Sequence, residues 1–131
     1  MKKIIYLSIA SLMFFTSCSS ENKNSEMVEL TVDFSFKKEN ICKDYSPEIR
    51  ITGIPKETEI LKIRFDDLYA NAHHGGWSTI TNDGTGIVPP GNLKNFRGPC
   101  DTNKYEFTVK AFDEEGTVIG IGKKAKICDI F

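Results

Sequence analysis

Tyr105-Glu106-Phe107-Thr108-Val109-Lys110-Ala111-Phe112-Asp113-Glu114-Glu115-Gly116-Thr117-Val118-Ile119-Gly120-Ile121-Gly122 is the stretch that decides the fold. Tyr105, Phe107, Val109 and Ala111 alternate with other residues, the period of a half-buried strand. Asp113 to Gly116 then makes a tight turn in which Gly116 is free to take a positive φ. The next run, Val118 to Ile127, carries Gly120 and Gly122, which predict a bulge or a close backbone approach. Outward from this hairpin the same period recurs. Leu30, Val32, Phe34 and Phe36 form one alternating set, Ile49 and Ile51 a second, and Leu61, Ile63 and Phe65 a third. Gly53-Ile54-Pro55, Asn82-Asp83-Gly84 and Pro89-Pro90-Gly91 punctuate these runs as turns. No window sustains a 3.6-residue apolar period. Many short strands with regular turns predict an all-β domain, an antiparallel sandwich or barrel.

The chain has 131 residues, 40% of them hydrophobic and 27% charged, which suits one globular domain and excludes disordered, collagen-like and coiled-coil classes. A formal net charge of −1 leaves no basic footprint for nucleic acid. The least regular region is 66–99, rich in Gly, Asn and Pro, and loops of this kind carry function on an all-β scaffold. It holds both histidines of the chain, in Asp66-Asp67-Leu68-Tyr69-Ala70-Asn71-Ala72-His73-His74-Gly75-Gly76-Trp77. His73 or His74 with Asp66 and Asp67 has the chemistry of a divalent-metal site. Adjacent residues point opposite ways in extended chain, however, so the two histidines would not share one ion, and no metal is expected. Gly-x-Ser-x-Gly, phosphate-loop and dinucleotide signatures are absent, and no cofactor is implied. An anion pocket is the reading the residues favour. A histidine, glycine amides and a tyrosine hydroxyl can together surround a phosphate, with an aspartate orienting the imidazole. His74 followed by Gly75 suits this, because glycine lets a ligand approach the backbone. His73 reads as a surface residue, and Trp77 as core or pocket wall.

Met1-Lys2-Lys3, the apolar run Ile4 to Phe15 and Thr16-Ser17 before Cys18 read as a secretory signal over residues 1–17. The run is too short for a membrane span of about 20 residues. Cys18 stands where a bacterial lipoprotein carries its acyl chains, which would anchor the protein at the cell envelope, on the outer membrane or facing the periplasm. Residues 18–26 contain no apolar side chain after Cys18 and read as a tether, so the globular domain spans 27–131. Exported domains sit in oxidising surroundings. Cys42, Cys100 and Cys128 then allow one disulfide in any of three pairings.

Five segments, in order, resemble the phosphatidylethanolamine-binding protein family, which includes the Raf kinase inhibitor proteins, and within it a small bacterial lipoprotein branch. These are Ser46-Pro47-Glu48-Ile49-Arg50-Ile51-Thr52-Gly53-Ile54-Pro55; the strand Leu61 to Phe65 running into Asp66-Asp67-Leu68-Tyr69-Ala70-Asn71; His74-Gly75-Gly76; Gly98-Pro99-Cys100; and Tyr105-Glu106-Phe107-Thr108-Val109-Lys110-Ala111-Phe112-Asp113. The resemblance implies a compact Greek-key β-sandwich with a small pocket for phosphate-like groups. By position, Asp67 matches the first pocket aspartate, His74 the pocket histidine, Gly98 the backbone donor at the rim and Tyr105 the pocket tyrosine. The resemblance also implies a Cys42–Cys100 disulfide, with Cys42–Cys128 as its rival.

The chain departs from the family pattern at the pocket itself. Tyr69 replaces a second aspartate, Asn71 a proline and Asn103 a second histidine, while Asp101-Thr102 stands in place of two prolines. An aspartate at the rim repels an anion by about 1 kcal/mol at 4 Å in water. The expected function is non-catalytic binding of a small anionic ligand or phospholipid headgroup. An interaction or inhibitor module for a hydrolase or kinase is the alternative, and a weak hydrolase using His74 and Asp67 is a further one.

Overall fold

The alternation at Tyr105 builds a nine-residue strand in a two-sheet sandwich. The computed structural model describes residues 26–131. The signal segment 1–17, Cys18 and all but the last residue of the tether lie outside the described residues. The elements are β1 (Val28–Glu29), β2 (Thr31–Phe34), a 3-10 turn (Lys38–Asn40), β3 (Ile49–Thr52), β4 (Ile60–Asp67), β5 (Ala72–His73), β6 (Ser78–Thr81), β7 (Ile87–Val88), β8 (Lys104–Phe112) and β9 (Val118–Ile127). The domain is all-β, and no α-helix occurs among the described residues.

The larger sheet runs β1-β9-β8-β4-β5, with β6 also paired to β4; the smaller runs β2-β3-β7. The chain changes sheet between β1 and β2, β3 and β4, β6 and β7, and β7 and β8. β8 and β9 form the expected hairpin, with Gly116 at φ +80°. Inward-facing side chains of both sheets meet in an aromatic core. Phe107 is fully buried, with Phe65 at 4.5 Å and Phe34, from the opposite sheet, at 4.8 Å between ring centroids. Such offset and edge-on pairs add to the hydrophobic gain from burial.

The first alternating set is not one strand. Leu30 marks a sheet change: β1 pairs with β9 in the larger sheet and β2 with β3 in the smaller. The β1–β9 pair is parallel, which corrects the expectation of a purely antiparallel sheet. The glycines of β9 make room for this pairing. A Cβ on Gly122 would lie 2.4 Å from the Leu30 carbonyl oxygen, and one on Gly120 would lie 3.1 Å from the Leu30 side chain. Without those atoms Leu30 seats against β9, its N–H bonding the Ile121 carbonyl at 2.9 Å. The predicted close approach is therefore what lets the chain cross. The region 66–99 also holds more structure than its composition suggests, namely β5, β6 and β7. Trp77 is not core: it lies half-buried on the outer face, with Arg64 at 4.6 Å and Lys110 at 5.1 Å from its ring.

Cys42 and Cys100 are bonded, and Cys128 is free and buried. Their Cα atoms are 4.8 Å apart, within the ordinary disulfide range. Two backbone bonds flank the bridge, from Cys42 N–H to the Pro99 carbonyl and from Gly98 N–H to the Lys43 carbonyl. The bridge closes 58 residues of sequence, and chain entropy assigns such a closure about 4 kcal/mol. A Cys42→Ser/Cys100→Ser variant is expected to lose stability of that order in urea unfolding; an unchanged midpoint would refute the assignment.

Candidate functional site

The site lies at the end of β4, where the sheet runs out into the 68–77 loop. A short turn, with Asn71 at φ +49°, returns the chain as β5 in the register Asp66↔His73 and Asp67↔Ala72. The His74 N–H continues the ladder to the Phe65 carbonyl at 2.9 Å. Successive side chains alternate between faces, and each aspartate meets a different histidine. Asp66 and His73 meet on the outer face, with Asp66 Oδ1 and His73 Nδ1 at 2.5 Å. Asp67 and His74 meet toward the sandwich interior, with Asp67 Oδ2 and His74 Nε2 at 3.9 Å.

Asp67 is 4% exposed and completely provided for. Its Oδ1 accepts from the Tyr69 and Ala70 amides at 2.9 and 3.0 Å, and its Oδ2 from the Asn103 side chain at 2.8 Å. Burial pushes its carboxyl up, yet the Ala70 amide, Asn103, the Tyr69 amide and the His74 charge together hold it below the usual carboxylate range. His74 Nδ1 lies 3.1 Å from the Arg97 carbonyl oxygen. A carbonyl only accepts, so Nδ1 carries the proton and Nε2 is the nitrogen turned to Asp67. The ring stands edge-on to Phe65 at 5.9 Å and to Tyr105 at 5.3 Å.

Tyr105 is buried, and its hydroxyl donates to the Asp101 carbonyl at 3.0 Å. Burial, with the charges of Asp67 and Asp101, raises its phenol above the usual value. Asp67, His74 and Tyr105 thus come together from β4, the 74–77 loop and β8. Gly98 does not join them as a donor. Its N–H bonds the Lys43 carbonyl at 2.8 Å, which corrects the role the resemblance assigned. Gly98 serves packing instead, since a Cβ there would lie 1.8 Å from the Asn40 carbonyl oxygen. Gly75 has φ +106°, and a Cβ on it would lie 1.6 Å from the Asn95 carbonyl oxygen, so only glycine fits.

A cleft lies on the other side of the loop. It has about 480 Å³, is lined by His73, Gly75, Gly76, Lys94, Arg97 and Asp44 among others, and touches neither Asp67 nor Tyr105. Sequence reasoning missed His73 as a partner of Asp66. Their relation depends on the length of the 68–71 turn, and a six-residue gap across a hairpin was the only available signal. Among the described residues no group of three or more His, Cys, Asp or Glu is placed to hold a metal ion.

No protein-family model matches the chain, and no curated protein matches it. Among solved structures it is similar to a chain from Chlamydia trachomatis D/UW-3/CX described as a proposed phosphatidylethanolamine-binding protein homologue, CT736. The TM-score is 0.60 at 14% identity, over 80% of this chain and 99% of that one. Likeness at this identity speaks for the architecture, and the chain has the phosphatidylethanolamine-binding protein type of all-β fold.

Proposed function

We propose that this chain is a non-catalytic binding module for a small anionic group, such as phosphate or a phospholipid headgroup, taken up at His74. The observation that carries this reading is the state of His74. Its Nε2 has no hydrogen-bond partner among the described residues, and the Asp67 carboxylate lies 3.9 Å from it. The side chain is 23% exposed, so a ligand can reach it. Asp67 supplies the compensating charge and does not compete for the ligand, because three N–H donors already occupy its oxygens. Tyr105 and Phe65 form the wall against which the imidazole stands. Gly75 keeps the loop close to the 94–97 segment. In the same reading the domain hangs on a lipidated Cys18 at the bacterial envelope.

Titration of the full chain with phosphate and with phosphoethanolamine, followed through histidine NMR signals, tests the reading. A saturating shift of His74, abolished in Asp67→Ala, is expected. No shift at millimolar ligand would leave only the architecture inherited and make protein interaction the better account. Labelling with palmitate in a bacterial host is expected to mark the chain and to be lost in Cys18→Ala; an unlabelled wild type would refute the anchor.

Asp67 also predicts a pH dependence. Its folded carboxyl lies below the unfolded value near 3.8, so the stability it contributes is complete above about pH 4 and is lost as pH falls through the lower folded value. Urea midpoints of wild type and Asp67→Asn should therefore differ most at neutral pH and converge in acid. A gap that stays constant below pH 4 would contradict this.

A further inference from the structure

We propose that the cleft on the outer side of the loop is a second anion site, separate from His74, which takes a compact phosphate-type dianion between His73, Lys94 and Arg97. Three independent observations converge on it. The first is space: about 480 Å³ lies open between the 73–76 loop and the 94–97 segment, with bare glycine backbone at Gly75 and Gly76 on one side. A phosphate group needs only a part of that volume.

The second is charge. Lys94 and Arg97 line the cleft, and neither has a carboxylate within ion-pair distance among the described residues. Other lysines are also unpaired, among them Lys38, Lys56 and Lys104; what sets Lys94 and Arg97 apart is that both line one cleft, together with His73. Asp44 is the one acidic residue in the lining. A guanidinium presents its donors as a planar fork suited to phosphate oxygens, and a lysine adds a point charge.

The third is orientation. His73 is held by Asp66 through Nδ1, which leaves Nε2 free of that bond, and Nε2 donates to a phosphate oxygen when the ring carries both protons. Asp66 is itself fixed by Arg64 at 3.0 Å, and Arg64 lies over Trp77. The opposite wall is equally fixed. Phe96 is buried in the aromatic core, the Asn95 amide bonds Ser78 Oγ at 3.0 Å, and the Arg97 amide bonds the His74 carbonyl at 3.0 Å. The backbones that carry His73, Lys94 and Arg97 are therefore set before a ligand arrives, which lowers the cost of ordering them.

The probe is inorganic phosphate, titrated into the full chain at constant ionic strength. The His73 and His74 NMR signals are assigned with His73→Gln and His74→Gln. The His73 signal is expected to move saturably, and Lys94→Ala and Arg97→Ala each to weaken that response about tenfold, the loss of one charge-assisted hydrogen bond. Asp44→Asn is expected to strengthen it. Lys94, Arg97 and Asp44 are exposed, so these variants should fold, and an unchanged near-ultraviolet spectrum of Trp77 checks that they do. The proposal is overturned if His73 does not respond to millimolar phosphate, if chloride at equal ionic strength gives the same shift, or if the Lys94→Ala/Arg97→Ala double variant responds like wild type. The His74 reading stands or falls on a different signal. A His73 shift without a His74 shift supports this site alone, and the reverse supports only the inner one.

Discussion

Everything at the candidate site depends on the register of β4 against β5. Asp66 lies opposite His73, and the ladder runs on to His74 through the Phe65 carbonyl. Because side chains alternate, one register assigns two aspartate–histidine pairs to two faces at once. A slip of one residue would exchange the faces of every side chain on β5. It would bring His74 out to solvent and turn His73 toward Phe65 and Tyr105. The turn that sets this register contains Asn71 in the left-handed region, a conformation asparagine tolerates better than most residues. The Asp67 carboxylate caps the same turn by accepting from Tyr69 and Ala70. The aspartate that faces His74 is thus also the residue that shapes the loop presenting it.

The positions where the chain differs from the family it resembles acquire a physical meaning in this arrangement. Asn103, in the place of a second histidine, donates to Asp67 and completes its hydrogen bonding. A neutral amide does this without adding charge. Tyr69, in the place of a second aspartate, contributes its backbone amide to Asp67 while its ring stays exposed. The Tyr105 hydroxyl turns to the Asp101 carbonyl. At the inner site Asp67 and Tyr105 are hydrogen-bonded within the protein while His74 keeps one open, reachable nitrogen, and the roomier cleft with Lys94 and Arg97 in its lining lies on the outer side.

Much of the scaffold was legible in the sequence. Strands of four or more residues with apolar alternation, such as β3, β4, β8 and β9, declare themselves through the period-two rule, and the Asp113–Gly116 turn through its terminal glycine. Two-residue strands do not carry a period, so β1, β5 and β7 were invisible, and β6 begins beside a tryptophan that composition alone places in the core. The parallel β1–β9 pair was hidden for a further reason: the room for it comes from two missing Cβ atoms ninety residues of chain away from Leu30 and not from any pattern near Leu30 itself. At the site, Asp67, His74 and Tyr105 were found by resemblance, and the structure brings them together. Gly98 was misassigned because a glycine kept for a close contact with Asn40 looks, in sequence, like one kept for a ligand. Asp66 and His73 escaped because their pairing is a property of turn length.

The pairing of β1 with β9 bears on how the domain avoids its own copies. β1 covers β9 only at Gly120 and Ile121, and past that point the ten-residue strand has no sheet partner on this side among the described residues. A long bare margin of this kind is a template for adding a foreign strand. Lys123, Lys124 and Lys126 fall on that stretch. Lys126 also reaches across to Asp33 and the Phe34 carbonyl, bracing the open margin against β2. Lys123 and Lys126 are paired with Glu106 and Asp33, while an incoming β9 from another molecule would bring its own Lys124 toward this one, so a charged and braced margin stands where β1 is too short to cover.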